Sequence, residues 1–267
     1  MTDIHIHTKF SHDSKEMPEH YIEKAISSGK SAIGFSEHYD YLYKENGKQV
    51  PLPDPQQYTD AIFALREKYK GKIKILCGLE AGYCKEASET YAELYERYPF
   101  DYLINSVHMV NGQDCYHNTF SRGLTARQAY TLYFEQVLES MDVPYPFQVL
   151  GHLGYASRYT DFADKKIRYE DFSELIDEIL KRCIRSGAAL EINTSARGAG
   201  SLFLPDTDIV ERYVELGGRK ITFGSDAHSV ERYCENENEV RSMLKNVGVN
   251  TVYYFEKKKP IAQSIEE

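Results

Sequence analysis

The stretch DIHIHTKFSHD, residues 3–13, alternates apolar and polar residues and then adds a second group of metal-binding side chain types. Alternation with a period of two is typical of a β-strand, so His5 and His7 are expected to leave the same face of a strand at its end. Near the other end of the chain, GSDAH at residues 224–228 repeats the i, i+2 spacing with an aspartate and a histidine. Two such pairs can converge only if the first and last strands are neighbours, as they are in a closed barrel.

Short apolar runs alternate with helical stretches between these two motifs, and several runs end on a side chain that can bind a metal. These side chains are His38, Glu80, His108 and His152. Seven strand–helix alternations favour parallel strands joined by crossovers. Barrels of the (β/α) kind build their active sites at the C-terminal rim, which is where all of these residues would lie. We therefore predict an α/β barrel, with a doubly wound open sheet as the alternative.

Length and composition limit the classes of protein to consider. At 267 residues the chain suits one α/β barrel domain over residues 1–267. A formal net charge of −9 without a basic stripe disfavours a nucleic-acid partner. There is no secretory signal segment and no apolar run of membrane-spanning length, so no membrane association is expected. Five cysteines without a CxxC pair are typical of reduced thiols, which predicts a cytoplasmic protein.

The histidines carry the functional hypothesis. A single buried histidine is more often a satisfied core residue than a ligand, but here seven of nine fall at or just after predicted strand ends. Together with Glu80 and Asp226 they form a mixed imidazole–carboxylate set, which suits zinc, manganese or iron. Of the two that fall outside this pattern, His20 lies inside a predicted helix, and His117 lies in a polar loop as a candidate substrate contact.

Two arginines are candidates for phosphate binding. Arg158 lies six residues after His152, and Arg197 lies six residues after Glu191, each in a loop leaving a predicted strand. A guanidinium donates two parallel hydrogen bonds, which matches the geometry of a phosphate. The alternative is that each is a solvated loop residue. No G-x-S-x-G or cysteine-centred nucleophile motif occurs, which disfavours covalent catalysis through serine or cysteine.

The ordered motifs resemble those of the PHP (polymerase and histidinol phosphatase) superfamily over nearly the whole chain. The motifs are DIHIHTKFSHD, SEH at 36–38, GLE at 78–80, SVH at 106–108, GHL at 151–153, EIN at 191–193 and GSDAH. The chain length and the arginine-containing loops look most like the histidinol-phosphate phosphatases of that superfamily. The resemblance implies a distorted (β/α)7 barrel with parallel strands and a centre of three divalent transition-metal ions, which would be zinc, manganese or iron.

The resemblance also implies how the ligands divide among the three ions. One ion would take His5, His7, Glu80 and Asp226. A second would share Glu80 and add His108 and His152, and a third would take His12, His38 and His228. Glu191 would lie close by as an occasional or supporting ligand. Many relatives carry an aspartate two residues after the fifth-strand histidine, where this chain has Gly154.

The activity implied by the resemblance is hydrolysis of L-histidinol phosphate to L-histidinol and phosphate in histidine biosynthesis, by attack of a metal-bridging hydroxide. Arg158 and Arg197 would hold the phosphoryl oxygens, and His228 and Asp13 are candidate proton donors to the leaving group. The alternatives are a phosphotyrosine phosphatase of the same superfamily or another small-molecule phosphoesterase. A non-catalytic, metal-stabilised module is a third reading.

Overall fold

A six-stranded parallel sheet forms the centre of the computed structural model, which describes residues 1–45 and 47–266. Each strand is hydrogen-bonded to the next one along the chain. The strands are β1 (Ala32–Tyr39), β2 (Lys74–Gly82), β3 (Tyr102–Ser106), β4 (Val149–Leu150), β5 (Ala189–Asn193) and β6 (Ile221–Gly224). This order is the one expected when every connection is a crossover through a helix.

Residues 3–7 run between the two edge strands of this sheet and hydrogen-bond to both. On one side the backbone N–H of Gly34 in β1 donates to the carbonyl oxygen of Asp3 over 2.9 Å. On the other side the N–H of His7 donates to the carbonyl oxygen of Ala227, beyond β6, over 2.9 Å. The stretch therefore closes the sheet into a barrel of seven members.

Helices cover the outside of the barrel. They are α1 (Pro18–Ser27), α2 (Pro55–Lys68), α3 (Ser88–Arg97), α4 (Ala126–Ser140), α5 (Ser173–Ser186), α6 (Thr207–Glu215) and α7 (Glu237–Asn246). Local sequence explains several of their ends. A capping box begins α4, in which the Thr125 side chain accepts from the N–H of Gln128 while Gln128 reaches back. Gly187, with φ of +79°, ends α5.

The lower interior of the barrel is filled by side chains from several strands. The buried Tyr102 donates its hydroxyl to the carbonyl oxygen of Ile4 over 2.7 Å, which ties the closing stretch to β3. A hairpin of two antiparallel strands, Thr251–Glu256 and Lys259–Ser264, adds Phe255 to the same buried cluster. The interior is therefore a packed core below the rim, so the rim itself is free to carry a site.

The predicted α/β barrel is confirmed, with differences in detail. The strand predicted at residues 2–7 is not a continuous ladder, because its contacts to β6 and beyond are single parallel bridges. The last predicted strand, at residues 251–255, pairs with a strand that follows it rather than with the barrel. Two further short hairpins form separate two-stranded sheets, Lys44–Glu45 with Lys48–Gln49 and Met109–Val110 with Gln113–Asp114. Among the described residues, no helix is both long and apolar enough to cross a membrane.

Candidate metal centre and active site

Side chains from all seven members of the barrel meet at its C-terminal rim. They are His5, His7, His38, Glu80, His108, His152, Glu191 and Asp226. Seven of these eight are metal ligands implied by the family resemblance, and Glu191 is the supporting residue. The carboxyl ends of parallel strands share one edge, so residues far apart in sequence come together here.

Glu80 lies at the middle of this group. Its side chain is fully buried, and its Oε1 lies 2.9 Å from His152 Nε2 and 3.2 Å from His108 Nε2. Its Oε2 lies 2.8 Å from His38 Nδ1 and 3.5 Å from His7 Nε2. One carboxylate therefore faces histidines from four members of the barrel, which is the arrangement expected of a carboxylate that bridges two cations.

Asp226 approaches the same point from the opposite side of the barrel. Its Oδ1 lies 3.3 Å from His7 Nε2 and 3.9 Å from His5 Nε2. Its backbone has φ of +52°, a left-handed conformation that aspartate tolerates better than most residues. This conformation at the end of β6 directs the carboxylate inwards, and such outliers are common at functional sites.

The donor atoms fit divalent metal ions. Buried polar atoms without a well-aligned hydrogen bond include His5 Nε2, His7 Nε2, His38 Nδ1 and Glu80 Oε2, all of which face the centre of the rim. An unpaired buried polar atom is costly, and one explanation for several together is a ligand that they share. Groups of three ligand atoms within 4.8 Å of one another include His5–His7–Glu80, Glu80–His108–His152 and His7–His38–His228. The centre can therefore hold divalent metal ions, and its nitrogen and oxygen donors suit zinc.

The histidines are oriented from behind by further carboxylates. His5 Nδ1 lies 2.6 Å from Glu191 Oε1, and His108 Nδ1 lies 2.7 Å from Asp40 Oδ1. Such contacts hold an imidazole with its other nitrogen towards a metal. Sequence reasoning missed Asp40, although SEHYD at residues 36–40 places it two residues after His38, the same spacing as in the motifs at both ends of the chain.

The protonation of the cluster follows from burial and neighbouring charge. Burial, reinforced by the adjacent His38 and His228, lowers the pKa of His7 to about 3. Burial alone would raise the pKa of Glu80, but the facing His5 and His38 hold it well below the usual range. Burial lowers the pKa of His108, yet Asp40 and Glu80 raise it to about 10. Protons on such histidines balance the buried carboxylates, so binding of a metal would release them.

A cavity of about 450 Å³ opens above the cluster. His12, Asp13 and His228 line one side of it. Asp13 Oδ2 lies 2.9 Å from His228 Nε2, and the ring of His12 lies 5.6 Å from that of His38, centroid to centroid. His12 is exposed and belongs to none of the tight ligand groups among the described residues, where Asp40 joins His38 and His108 instead. The predicted role of His12 as a ligand stays a prediction.

Arg158 lies at the edge of the cluster inside the cavity. It ends a short 3-10 helix, Tyr155–Arg158, and its Nη1 donates to Asp226 Oδ2 over 3.0 Å. The guanidinium carbon lies 5.3 Å from the ring centroid of Tyr155 and 5.1 Å from that of Tyr159. The side chain is only 12% exposed, so these contacts hold a cation in a fixed orientation beside the ligands.

The structure does not place Arg197 in the cavity. Its side chain is 63% exposed and contacts Glu235 Oε1 over 3.4 Å. Arg232, which sequence reasoning missed, lines the cavity and is held by the same Glu235 over 2.7 Å. His117 is also exposed, at 44%, whereas its neighbour Tyr116 lines the cavity. Side-chain direction in these loops has no periodic signal in the sequence, so the predicted phosphate contact of Arg197 stays a prediction.

The backbone conformation at position 154 explains why this residue is a glycine. Its φ is +106°, a region that residues with a side chain rarely adopt, and it begins the turn into the helix that carries Arg158. Its N–H donates to the hydroxyl of Tyr133 over 3.1 Å. A glycine here therefore serves the turn that positions Arg158.

Gly82, at the end of β2, leaves the space in which Asp40 supports His108. A Cβ at this position would lie 1.8 Å from Asp40 Oδ1 and 3.2 Å from His108 Nδ1. We expect Gly82→Ala to cost about 1–3 kcal/mol of unfolding free energy through overpacking, and to weaken zinc binding. Chemical denaturation and zinc titration measure the two effects.

Gly71→Ala is the matched control for this substitution. Gly71 has φ of +76°, but a Cβ there meets nothing within 4 Å. We expect it to cost stability through backbone strain while leaving zinc affinity unchanged. If Gly82→Ala behaved like this control, Asp40 would not be needed to orient His108.

Comparisons with known proteins agree with the site. The PHP domain matches residues 3–195. "Probable histidinol-phosphatase" of Clostridium acetobutylicum is 33% identical over 259 residues, covering 96% of this chain and 97% of that protein. "Histidinol-phosphatase" of Lactococcus lactis is 30% identical over 254 residues, covering 95% and 93%.

Solved structures give the same result. The crystal structure of the L. lactis histidinol phosphate phosphatase, complexed with zinc, L-histidinol and phosphate, superposes with a TM-score of 0.89 at 30% identity. It covers 97% of this chain and 98% of that one. A structure from Listeria monocytogenes, at 18% identity and a TM-score of 0.78, shares the fold. With its motifs, its rim of ligands and these matches, the chain belongs to the PHP domain family.

Proposed function

We propose that this protein is a metal-dependent phosphoric monoester hydrolase, a histidinol-phosphatase that converts L-histidinol phosphate to L-histidinol and phosphate in histidine biosynthesis. The observation that carries the proposal is the buried carboxylate–histidine cluster with Arg158 fixed beside it in one cavity. The L. lactis relative, bound to zinc, L-histidinol and phosphate, supports both the metal and the substrate.

The proposed centre holds three divalent ions, with zinc as the first candidate and manganese or iron as alternatives. Glu80 would be shared by two ions, one with His5, His7 and Asp226, and the other with His108 and His152. His12, His38 and His228 would hold the third. When bound, such ions make hydroxide available near neutral pH and neutralise charge on phosphoryl oxygens. Most of the barrier reduction for phosphate ester hydrolysis is electrostatic, so this is the main requirement of the reaction.

The chain's own residues would orient the ester and complete proton transfer. Arg158 would donate two parallel hydrogen bonds to the phosphoryl oxygens, and the contacts of its guanidinium with Asp226 and the tyrosine rings support this role. The leaving alkoxide needs a proton. Asp13 and His228, 2.9 Å apart on the cavity wall, form a pair that can supply one to the leaving oxygen.

Asp114 is our candidate for recognition of the cationic end of the substrate. It lines the cavity, and its carboxylate accepts from the backbone N–H of Tyr116 over 2.9 Å and from the Tyr43 hydroxyl over 3.3 Å. L-histidinol carries an ammonium group and an imidazole, both of which a fixed carboxylate attracts. This carboxylate would not attract a neutral or acidic substrate.

We expect L-histidinol phosphate to be hydrolysed with a kcat/KM at least about a hundredfold above that for phosphotyrosine, equivalent to about 2.7 kcal/mol of transition-state binding. The tyrosine-lined mouth of the cavity, which includes Tyr116 and Tyr159, favours phosphotyrosine as the second candidate. Phosphate release from both substrates measures the ratio. Similar values would move the assignment to a phosphotyrosine phosphatase or a general phosphoesterase.

Asp114→Asn separates substrate recognition from the chemistry. It should lower kcat/KM for L-histidinol phosphate and leave that for a phosphotyrosine peptide without basic residues unchanged, since only the former has a cationic end. Asp161→Asn, at an exposed residue bonded to Asn118, is the matched control and should change neither. A tightly metallated protein inactive on every phosphate ester would support the non-catalytic alternative.

We further propose that residues 1–267 form one domain that acts in the cytoplasm on a small-molecule phosphate ester. All five cysteines are free thiols, and four of them are buried, which suits a reducing compartment. Cys115 is one of the buried four, with no exposed surface.

A further inference from the structure

His7 differs from the other supported histidines of the rim in the group that contacts its Nδ1. The Nδ1 atoms of His5 and His108 face carboxylates directly, whereas His7 Nδ1 lies 3.1 Å from the hydroxyl of Ser11. That hydroxyl in turn donates to Glu37 Oε2 over 2.7 Å. Both Ser11 and Glu37 are buried.

The direction of the hydrogen bond from His7 follows from counting donors. As a carboxylate, Glu37 has no hydrogen to donate, and its Oε2 also accepts the backbone N–H of Thr8 over 2.9 Å. It must therefore accept the single hydrogen of the Ser11 hydroxyl. The lone pairs of that hydroxyl then accept the backbone N–H of His38 over 3.0 Å and a hydrogen on His7 Nδ1.

The direction of this hydrogen bond determines which nitrogen of His7 is unprotonated at the centre of the rim. With its hydrogen on Nδ1, His7 presents an unprotonated Nε2 to Glu80 at 3.5 Å and to Asp226 at 3.3 Å. This nitrogen makes no hydrogen bond, as expected of an atom that binds a metal ion. The opposite tautomer would place a hydrogen where the ion must bind.

We propose that Ser11 and Glu37 are positioning residues that hold His7 in its metal-binding tautomer. Among the described residues, the hydrogen bonds of the Glu37 carboxylate come from the hydroxyls of Thr8 and Ser11 and the N–H of Thr8, so its contacts serve this loop. The pair is placed by the chain itself, because Glu37 immediately precedes a ligand and Ser11 lies four residues after one. The inference rests on the proposed metal centre.

The first test is the imidazole tautomer in the full-length protein stripped of metal. Long-range proton–nitrogen NMR correlations of 15N-histidine-labelled wild-type protein should show His7 with hydrogen on Nδ1 and a bare Nε2. Ser11→Ala should lose this preference. A wild-type His7 with hydrogen on Nε2 would overturn the proposal without any variant, so a poorly folded variant cannot hide the answer.

Zinc affinity is the second test, measured by titration of the metal-free protein against a competing chelator. Ser11→Ala should weaken binding of at least one ion by about 10- to 100-fold, the usual effect of removing a group that orients a ligand. Ser14→Ala is the matched control, since this buried serine in the same loop donates to the carbonyl oxygens of His7 and His228 and touches neither ring.

The outcomes separate this inference from the proposed function. If wild-type protein bound no zinc, both the proposed metal centre and the proposed positioning of His7 by Ser11 and Glu37 would be wrong. If wild type and Ser11→Ala bound zinc equally tightly, the metal centre would stand and only the positioning of His7 would be wrong. Ser11 would then serve to anchor the loop. Weaker zinc binding in Ser11→Ala, with the zinc affinity of Ser14→Ala unchanged, supports the positioning of His7 by Ser11 and Glu37.

Discussion

Glu80→Gln is expected to lower kcat/KM for L-histidinol phosphate by at least about a thousandfold, equivalent to about 4 kcal/mol. The carboxylate lies between the histidines of several barrel members, with Oε1 2.9 Å from His152 and Oε2 2.8 Å from His38. Glutamine keeps the shape of the side chain but removes its negative charge. Its amide NH2 would also direct hydrogens towards the proposed metal ions and histidines, where a carboxylate oxygen is needed. Two ions would lose a shared ligand at once.

Metal content measured by elemental analysis is the second readout of this substitution. Wild type purified without chelator should carry about two to three transition-metal ions per chain, and Glu80→Gln should carry fewer. Glu191→Gln provides a graded comparison, because Glu191 orients His5 from behind and should cost only about 10- to 100-fold. Glu139→Gln, a surface residue near Lys85, should change nothing. Full activity in metal-free wild type would contradict the mechanism itself.

The sequence predicted the barrel and most of the rim because both depend on local patterns. A strand has a period of two, and the residue that ends a parallel strand lies at the common edge whatever its partners are. His38 and Glu80 illustrate this, since they end neighbouring runs and pair directly in the register of β1 and β2. Their approach therefore required only the order of the strands.

What the sequence did not predict depends on contacts between distant segments. Asp40 supports His108 across 68 residues, and Glu37 supports a loop 26 to 29 residues earlier. Glu37 and Asp40 lie on either side of His38 in the sequence, but nothing in their spacing says which way each carboxylate faces. Loop arginines are harder still, since Arg197 and Arg232 share one partner and only Arg232 lines the cavity.

Arg158→Met should lower kcat/KM by about a hundredfold or more while leaving the metal content of the purified protein intact. The loss corresponds to about 2.7 kcal/mol of charge-assisted hydrogen bonding to the phosphoryl group. Methionine keeps most of the apolar stem that packs on Tyr155 and Tyr159, so the change removes mainly the charged fork. Arg158→Lys should recover only part of the activity, because a point charge cannot donate two parallel hydrogen bonds.

Metal content is the control that gives this result its meaning. Arg158 also contacts Asp226 over 3.0 Å, so a loss of activity could reflect a loosened ligand instead of a lost phosphate contact. Intact metal with a raised KM or a lowered kcat would assign the residue to the substrate. Loss of zinc in Arg158→Met would instead assign it to Asp226.

Arg197→Met tests whether the second predicted arginine joins Arg158 on the phosphate. Its exposed side chain is held by one 3.4 Å contact to Glu235, so it can turn towards the cavity at little cost. We expect a loss of about tenfold to a thousandfold in kcat/KM, or about 1.5–4 kcal/mol. If both arginines hold one phosphoryl group, the double mutant should lose less than the product of the single losses. Normal kinetics would make Arg197 a surface charge, and a loss in Arg232→Met would then identify the second arginine that acts on the phosphate.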